Sequence, residues 1–313
     1  MKRTSFVLLT LAAIALTFGR SLAAETNNSE GTAIKVTGQA MVQLPGQSQP
    51  VEVTAGMKLP QGAVVTTVNG EVYIQAHTGT VAVVKSNSTV SIDELSVTTD
   101  GGKVTKETTS MNLRNGNLVS MLDPAKKSVN SYQVRTPKGV AAARGTTFTV
   151  SYNGVDYTIV ATTGFVQITS STGTVVSISG GQASMSSNGG AATAVGSLPA
   201  DQKAEAVQAM SIAVATIAVA VENNMLGSGG SAQLADAAAT VIKAEPSSAA
   251  AITQLVQVSA PSQNSVIEQA VRDNPPATPP ATTPPPTNSP STPETPQTTT
   301  PQPIDPSTIS RSD

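Results

Sequence analysis

The sequence predicts a mainly β protein: an antiparallel β-sandwich or jelly-roll-like domain, then a small helical segment, then a disordered tail. Three observations carry this expectation. From residue 31 to 190, short runs rich in Val, Ile and Thr recur between Gly, Asn, Asp and Pro, which is how strands and turns read. A helical apolar period appears only after Pro199, and prolines crowd residues 274–313. The expected divisions are therefore 1–23, 31–190, 198–273 and 274–313.

The first division reads as a secretory signal peptide. Lys2 and Arg3 precede an uncharged run from Thr4 to Gly19, and Ser21-Leu22-Ala23 supplies the small residues that signal peptidase accepts. The apolar stretch is short and rich in Ala and Thr, whereas a membrane span takes ~20 predominantly apolar residues. Retention as an uncleaved anchor is the weaker alternative, and no membrane span is expected after cleavage. The chain has no cysteine, which leaves no disulfide, thiolate metal site or lipid-bearing residue. The expected destination is the periplasm or the cell surface.

Charge narrows the partners. Lys+Arg minus Asp+Glu is 18 − 20 = −2, and removal of Lys2, Arg3 and Arg20 with the signal leaves 15 − 20 = −5, a poor balance for nucleic acid. Only 12% of residues are charged, against about 25% in ordinary domains, so the surface is rich in hydroxyls.

In the β division, after a polar leader that ends at Glu30, Phe148, Val150 and Tyr152 alternate with Thr147, Thr149 and Ser151. Beyond Asn153-Gly154 the alternation resumes as Val155, Tyr157, Ile159 and Ala161, a strong hairpin signal. Val72, Ile74 and Ala76 after Asn69-Gly70, and Val166 and Ile168 after Gly164, repeat the pattern. Roughly fifteen such strands are expected at this spacing, enough to enclose one core.

In the helical division, Val207, Met210, Val214, Ile217 and Val221 form one apolar stripe. The run 206–221 is uncharged enough to raise a membrane reading, but Gln208, Ser211 and Thr216 favour a packed helix. A 15-residue repeat follows the linker at Gly227, aligning Val241, Val256 and Val271, Ile252 with Ile267, and Gln254 with Gln269. It predicts two or three short helices packed on the long one. The final division holds thirteen of the 21 prolines from Pro275 onward, too few apolar groups to form a core, and reads as an extended spacer.

The most informative segment runs from Ser131 to Val150, S-Y-Q-V-R-T-P-K-G-V-A-A-A-R-G-T-T-F-T-V. It resembles the signature of the FecR domain family, in which a strand ending V-R-T-P is linked to one opening R-G-T-x-F-x-V. Val134, Arg135, Thr136, Pro137, Arg144, Gly145, Thr146, Phe148 and Val150 match, as does an upstream L-x-x-G from Leu113 to Gly116. The resemblance covers roughly residues 56–182 and implies an extracytoplasmic β domain that contacts an outer-membrane transducer and relays its state to a sigma factor. Only Met1 to Arg3 precede the apolar run here, so no cytoplasmic anti-sigma region and no sigma-factor partner are expected.

Two readings of the motif stay open. Pro137 ends a strand by removing a donor and Gly139 and Gly145 permit turns, while Arg135 and Arg144 either satisfy backbone acceptors at the strand junction or form an anion or partner patch. The architectural reading is the expectation for Val134, Arg135, Thr136, Pro137, Arg144, Gly145, Thr146 and Phe148. His77 is the only histidine, and Asp93-Glu94 and Asp100-Gly101-Gly102 lack the spacing of a calcium loop, so no metal or cofactor is expected. The sequence has no Walker loop, G-x-G-x-x-G between strand and helix, or G-x-S-x-G.

The expected function is therefore a non-enzymatic extracytoplasmic binding or scaffold module for an envelope protein or glycan. A structural or adhesive envelope protein and a polysaccharide-active enzyme are the alternatives. Exported protein is expected to begin at or near Ala24; N-terminal sequencing that returns Met1 would contradict the signal-peptide reading.

Overall fold

Eighteen strands and four α-helices follow one another in this computed structural model, which describes residues 24–275. The expected signal peptide, 1–23, and residues 276–313 of the expected tail lie outside the described residues. The first nine strands are β1 (Glu25–Asn28), β2 (Gly31–Thr37), β3 (Ala40–Gln43), β4 (Val51–Glu52), β5 (Lys58–Leu59), β6 (Val64–Thr67), β7 (Glu71–His77), β8 (Thr80–Val84) and β9 (Thr89–Asp100). The rest are β10 (Lys103–Leu122), β11 (Asn130–Thr136), β12 (Gly139–Ala143), β13 (Thr147–Tyr152), β14 (Tyr157–Ala161), β15 (Phe165–Ser170), β16 (Val175–Ser179), β17 (Gln182–Met185) and β18 (Thr193–Ala194). The helices are α1 (Ala200–Glu222), α2 (Gly230–Ala244), α3 (Ala249–Ser259) and α4 (Asn264–Asp273).

The strands make two facing sheets with one strand in common. One sheet, in order β4, β3, β6, β9, β10, β11, β12, β15 and β16, has no helix on its outer face. The other, in order β5, β2, β7, β8, β10, β13, β14, β17 and β18, is covered by the helices. Strand β10 pairs with β9 from Lys103 to Asn115 and with β13 from Gly116 onward, so its two halves lie in different sheets. The turn between them needs Gly116: its φ is 95°, and a Cβ there would stand 2.2 Å from Ser88 Oγ and 2.6 Å from Asn87 O.

Burial follows the alternation of side chains along each strand. Val72, Ile74, Val90, Ile92, Met111, Leu113, Val134, Phe148, Val150, Val166 and Ile168 fill the space between the sheets. The opposite faces of the covered sheet, including Val81, Val83, Val119, Met121, Val160 and Met185, form a second core with the helices. Strand β8 is consequently buried at all five positions.

Helix α1 is the centre of that second core, with α2 and α3 packed against it and α4 packed on α2 and α3. By length and composition it would cross a membrane, with mean hydropathy 1.8. Eleven of its residues are instead buried in the protein, Ala206, Met210, Val214 and Ile217 among them. The repeat is a structural one: short turns at Pro246–Ser248 and Pro261–Gln263 open α3 and α4, and Val241, Val256, Ile252 and Ile267 are all buried. Polar bonds tie the layers, since Gln233 Nε2 donates to Thr147 Oγ1 at 2.7 Å and Thr158 Oγ1 donates to Glu205 Oε1 at 2.7 Å.

Four expectations need correction. Residues 25–28, read as polar leader, form β1, because the long strand β9 projects beyond the core and offers a free edge. All four β1 residues are exposed, so no apolar alternation announces the strand. The link between the two halves of the Arg-containing motif is itself a strand, β12, whose run Gly-Val-Ala-Ala-Ala alternates in burial but not in residue type. Strands continue past residue 190, to β18. The sheets are also not wholly antiparallel, since β10 and β11 run parallel; the chain between them, 123–129, returns to the start of the open-sheet half of β10.

Two outcomes test this architecture. Gly116→Ala and Gly154→Ala both place a Cβ at φ 95°, but only the first meets other atoms. Both carry strain of ~1–3 kcal/mol, and Gly116→Ala is expected to cost about 2 kcal/mol more by overpacking the corner; equal urea midpoints for the two would refute the role given to Gly116. The second outcome concerns alkali. Burial raises the Tyr132 phenol far above its usual range, against a smaller lowering by its bond to Ser120. Tyr73 is raised first by burial, then by the charge of Glu71 and its hydrogen bond. An unfolded chain releases these protons near pH 10, whereas the folded one holds them to higher pH. Stability is thus complete below about pH 10 and falls as pH rises beyond it, which denaturant midpoints taken from neutral to strongly alkaline pH will show.

Candidate functional site

The motif residues part into an inward and an outward group. Val134 and Phe148 are fully buried between the sheets, where the Phe148 ring meets Tyr132 edge to face at 6.0 Å. Tyr132 OH shares a 2.9 Å hydrogen bond with Ser120 Oγ. At the β11–β12 turn, Thr136 Oγ1 accepts from Lys138 N at 3.2 Å and donates to Gly139 O at 3.3 Å, while Pro137 is exposed.

Arg144-Gly145-Thr146 is the crossing from the open sheet to the covered one. Gly145 has φ 62°, and a Cβ would stand 2.8 Å from Pro124 Cα. Thr146 is fully buried, and its hydroxyl donates to Phe165 O at 2.9 Å and accepts from Phe165 N at 3.2 Å. One hydroxyl therefore binds this crossing to the neighbouring one between β14 and β15.

The two arginines do not take part in that stitching. Arg135 and Arg144 are both exposed, and among the described residues neither guanidinium has a hydrogen-bond or ion-pair partner. The expectation that Arg144 satisfies carbonyls at the junction fails because those carbonyls are already used. Thr146 O accepts from Leu122 N, and Thr147 O from Thr162 N and Thr163 N.

Register places both arginines on the outer face of the open sheet. Arg135 stands opposite Val140, and Gln133 opposite Ala142, so Arg144, two residues further along, shares their side. The same face continues through Gln167 and Ser177. Beside Arg144 is Phe165, 72% exposed, in a shallow depression of about 420 Å³ with Ser131, Gln167 and Ser177. Sequence reasoning passed over Phe165, although the inward parity of Val166 and Ile168 already implies that it points outward.

Other polar groups are held locally. His77 Nε2 bonds Thr108 O at 3.1 Å, Asp93 accepts from Ser91 Oγ at 2.9 Å, and Glu94 accepts from Ser96 Oγ at 3.2 Å. Among the described residues no three His, Asp or Glu gather to hold a metal ion. A second cleft of about 490 Å³ lies between Asn117, Tyr152, Asp156 and α1, where Glu205 is taken by Thr158.

Comparison with known proteins gives three findings. The model of the FecR protein family matches residues 62–183. No curated protein matches. Two crystal structures of a protein from Parabacteroides distasonis ATCC 8503, provisionally assigned as an anti-sigma factor, align at 12% identity over 38% of this chain and 52% of theirs, with a TM-score of 0.30. The chain thus spans about half the length of those structures, and a superposition that loose carries no argument about action or partner. The family match, by contrast, runs from the turn before β6 into β17 and takes in the corner at Gly116 and both halves of the Arg-containing motif, so this chain carries a FecR domain at residues 62–183.

Proposed function

We propose that this protein is an exported, non-catalytic binding and scaffold module that meets an envelope partner through the outer face of its open sheet. The observation that carries the reading is the contrast between the two sheet faces. The covered sheet spends its outer face on a second apolar core, whereas the open sheet presents Arg135, Arg144, Gln167 and the exposed ring of Phe165. An exposed aromatic beside an unpaired guanidinium is the residue pairing that binding hot spots favour. A sheet face held by two crossings stitched through Thr146 is also rigid enough to bind without ordering costs. Export rests on the signal-like start of the chain, and the absence of turnover on the family match. A sensing role, in which occupancy of this face is relayed to a regulatory partner, is a second reading that the FecR match favours.

Arg144→Ala is expected to move the unfolding free energy by no more than about 0.5 kcal/mol, as surface substitutions do. Phe165→Ser should likewise fold and melt as the parent does, yet lose most of its capture by an envelope extract. Undiminished capture by Phe165→Ser would remove this face from the proposal, and release of reducing sugar from envelope polysaccharides would overturn the non-catalytic reading.

A further inference from the structure

Charge is distributed very unevenly along the described chain. Residues 103–144 carry eight Lys or Arg against Glu107 and Asp123, 8 − 2 = +6. The remaining residues of 24–275 carry six Lys or Arg against fifteen Asp or Glu, 6 − 15 = −9. Both acids of the basic stretch are engaged: Glu107 pairs with Lys126 at 3.3 Å, and Asp123 Oδ1 accepts from Ala125 N at 2.8 Å. Of the eight cations only Lys126 has an ion pair among the described residues. Mutual compensation, the ordinary fate of surface charge, reaches only one of these eight cations by an ion pair.

This stretch comprises β10, β11 and β12 with their connections, of which the first half of β10 and all of β11 and β12 form the middle of the open sheet. Arg135 is opposite Asn112 of β10, and the exposed Arg114 follows two residues later. Lys138 lies in the adjoining turn, so three cations gather at one end of the strands. Arg144 is at the other end, near Lys127, whose Cβ is 3.3 Å from the position a Cβ of Gly145 would take. Four residues of strand separate the row of Arg135 from that of Arg144, ~13 Å at the usual rise. The ground between them on β11 and β12 is neutral, Ser131, Gln133 and Ala142, with Gln133 Nε2 held by Ser110 Oγ at 3.1 Å; the nearest acid of that row, Glu94, is two strands away on β9 and accepts from Ser96 Oγ.

We infer that this face binds an anionic polysaccharide, lying along β11 with acidic groups at both ends of the strand. The inference rests on the binding role proposed above and names its ligand class. Guanidinium forks match carboxylates in two-point contacts, and two positive ends ~13 Å apart fit an extended chain of anions better than one small ion. The serine hydroxyl and glutamine amides between them suit sugar hydroxyls. Single-stranded nucleic acid is disfavoured because Phe165 is the face's one exposed aromatic among the described residues, where single strands need a row for stacking. A membrane is disfavoured because the cations flank no apolar patch of a size that inserts.

The test uses the full chain with polygalacturonate, neutral dextran, duplex DNA and anionic phospholipid vesicles, followed by titration calorimetry. Polygalacturonate should bind, more weakly as salt rises, and dextran should not. Arg135→Gln with Arg144→Gln should weaken polygalacturonate binding about tenfold or more at an unchanged melting temperature. The corresponding double Lys variant should fall between, since it keeps charge without the fork. Equal binding of dextran, undiminished binding by the Gln variant, or tighter binding of DNA or vesicles would overturn the inference. If polygalacturonate fails while Phe165→Ser still loses its envelope partner, the ligand class is wrong and the binding face stands. If both fail, the face itself is wrong.

Discussion

Strand β10 belongs to two sheets at once, and the chain can take that path only where it turns sharply at Gly116. Its first half supplies Met111 and Leu113 to the space between the sheets, and its second half supplies Leu118 to the same space and Val119 and Met121 to the core beneath the helices. One strand therefore contributes to both hydrophobic cores, and a shift of one residue at the corner would reverse every side chain beyond it. Gly116 is closed against Asn87 and Ser88, the crossing between β8 and β9, so the two crossings fix each other's position. Ser88 completes the contact by accepting from Asn117 N at 2.9 Å through its hydroxyl.

Threonine hydroxyls do at the crossings what ladders do within the sheets. Thr67 donates to Lys85 O and accepts from Ser88 N at 3.1 Å at one end of the sandwich, and Thr146 bonds both backbone groups of Phe165 at the other. A strand that leaves one sheet for another drops its ladder partners, and an unpaired buried backbone group costs ~1–3 kcal/mol. A buried hydroxyl can donate and accept at once, so a single threonine repairs both losses. This gives a physical account of the abundance of threonine in a chain with so little charge, and of the Thr in R-G-T.

Legibility in the sequence tracks how each element is buried. Strands with one face in the core and one outside, such as β13 and β14, alternate visibly, and Asn153-Gly154 marks their hairpin. Strand β8 reads as a continuous apolar run because it is covered on both faces, and β1 is invisible because it is covered on neither. The stripe on α1 was legible, but its partner, the outer face of a sheet formed a hundred residues earlier, is a long-range fact that no local period encodes. At the site, reasoning from the strand junction located Arg144 at a crossing and then misjudged its direction. A count of donors and acceptors at the junction would have needed Thr146, Leu122, Thr162 and Thr163 together, and these meet only in three dimensions.

The direction of those arginines bears on what a FecR domain has to offer a partner. Gly145, Thr146, Val134 and Phe148 hold the crossing and the core, so the fold loses nothing if the guanidinium groups are free. A solvated arginine leaves its charge unpaired by any acid of the described chain, and the basic stretch 103–144 stands on a domain that is otherwise acidic. Their field at the open sheet is then directional: anions are drawn to this face and repelled by the helices, which carry Asp201, Glu205, Glu222, Asp236, Glu245, Glu268 and Asp273 against three cations. Covering one sheet with helices while leaving the other bare thus puts the acidic helices on one side of the domain and the free arginines of the family motif on the other.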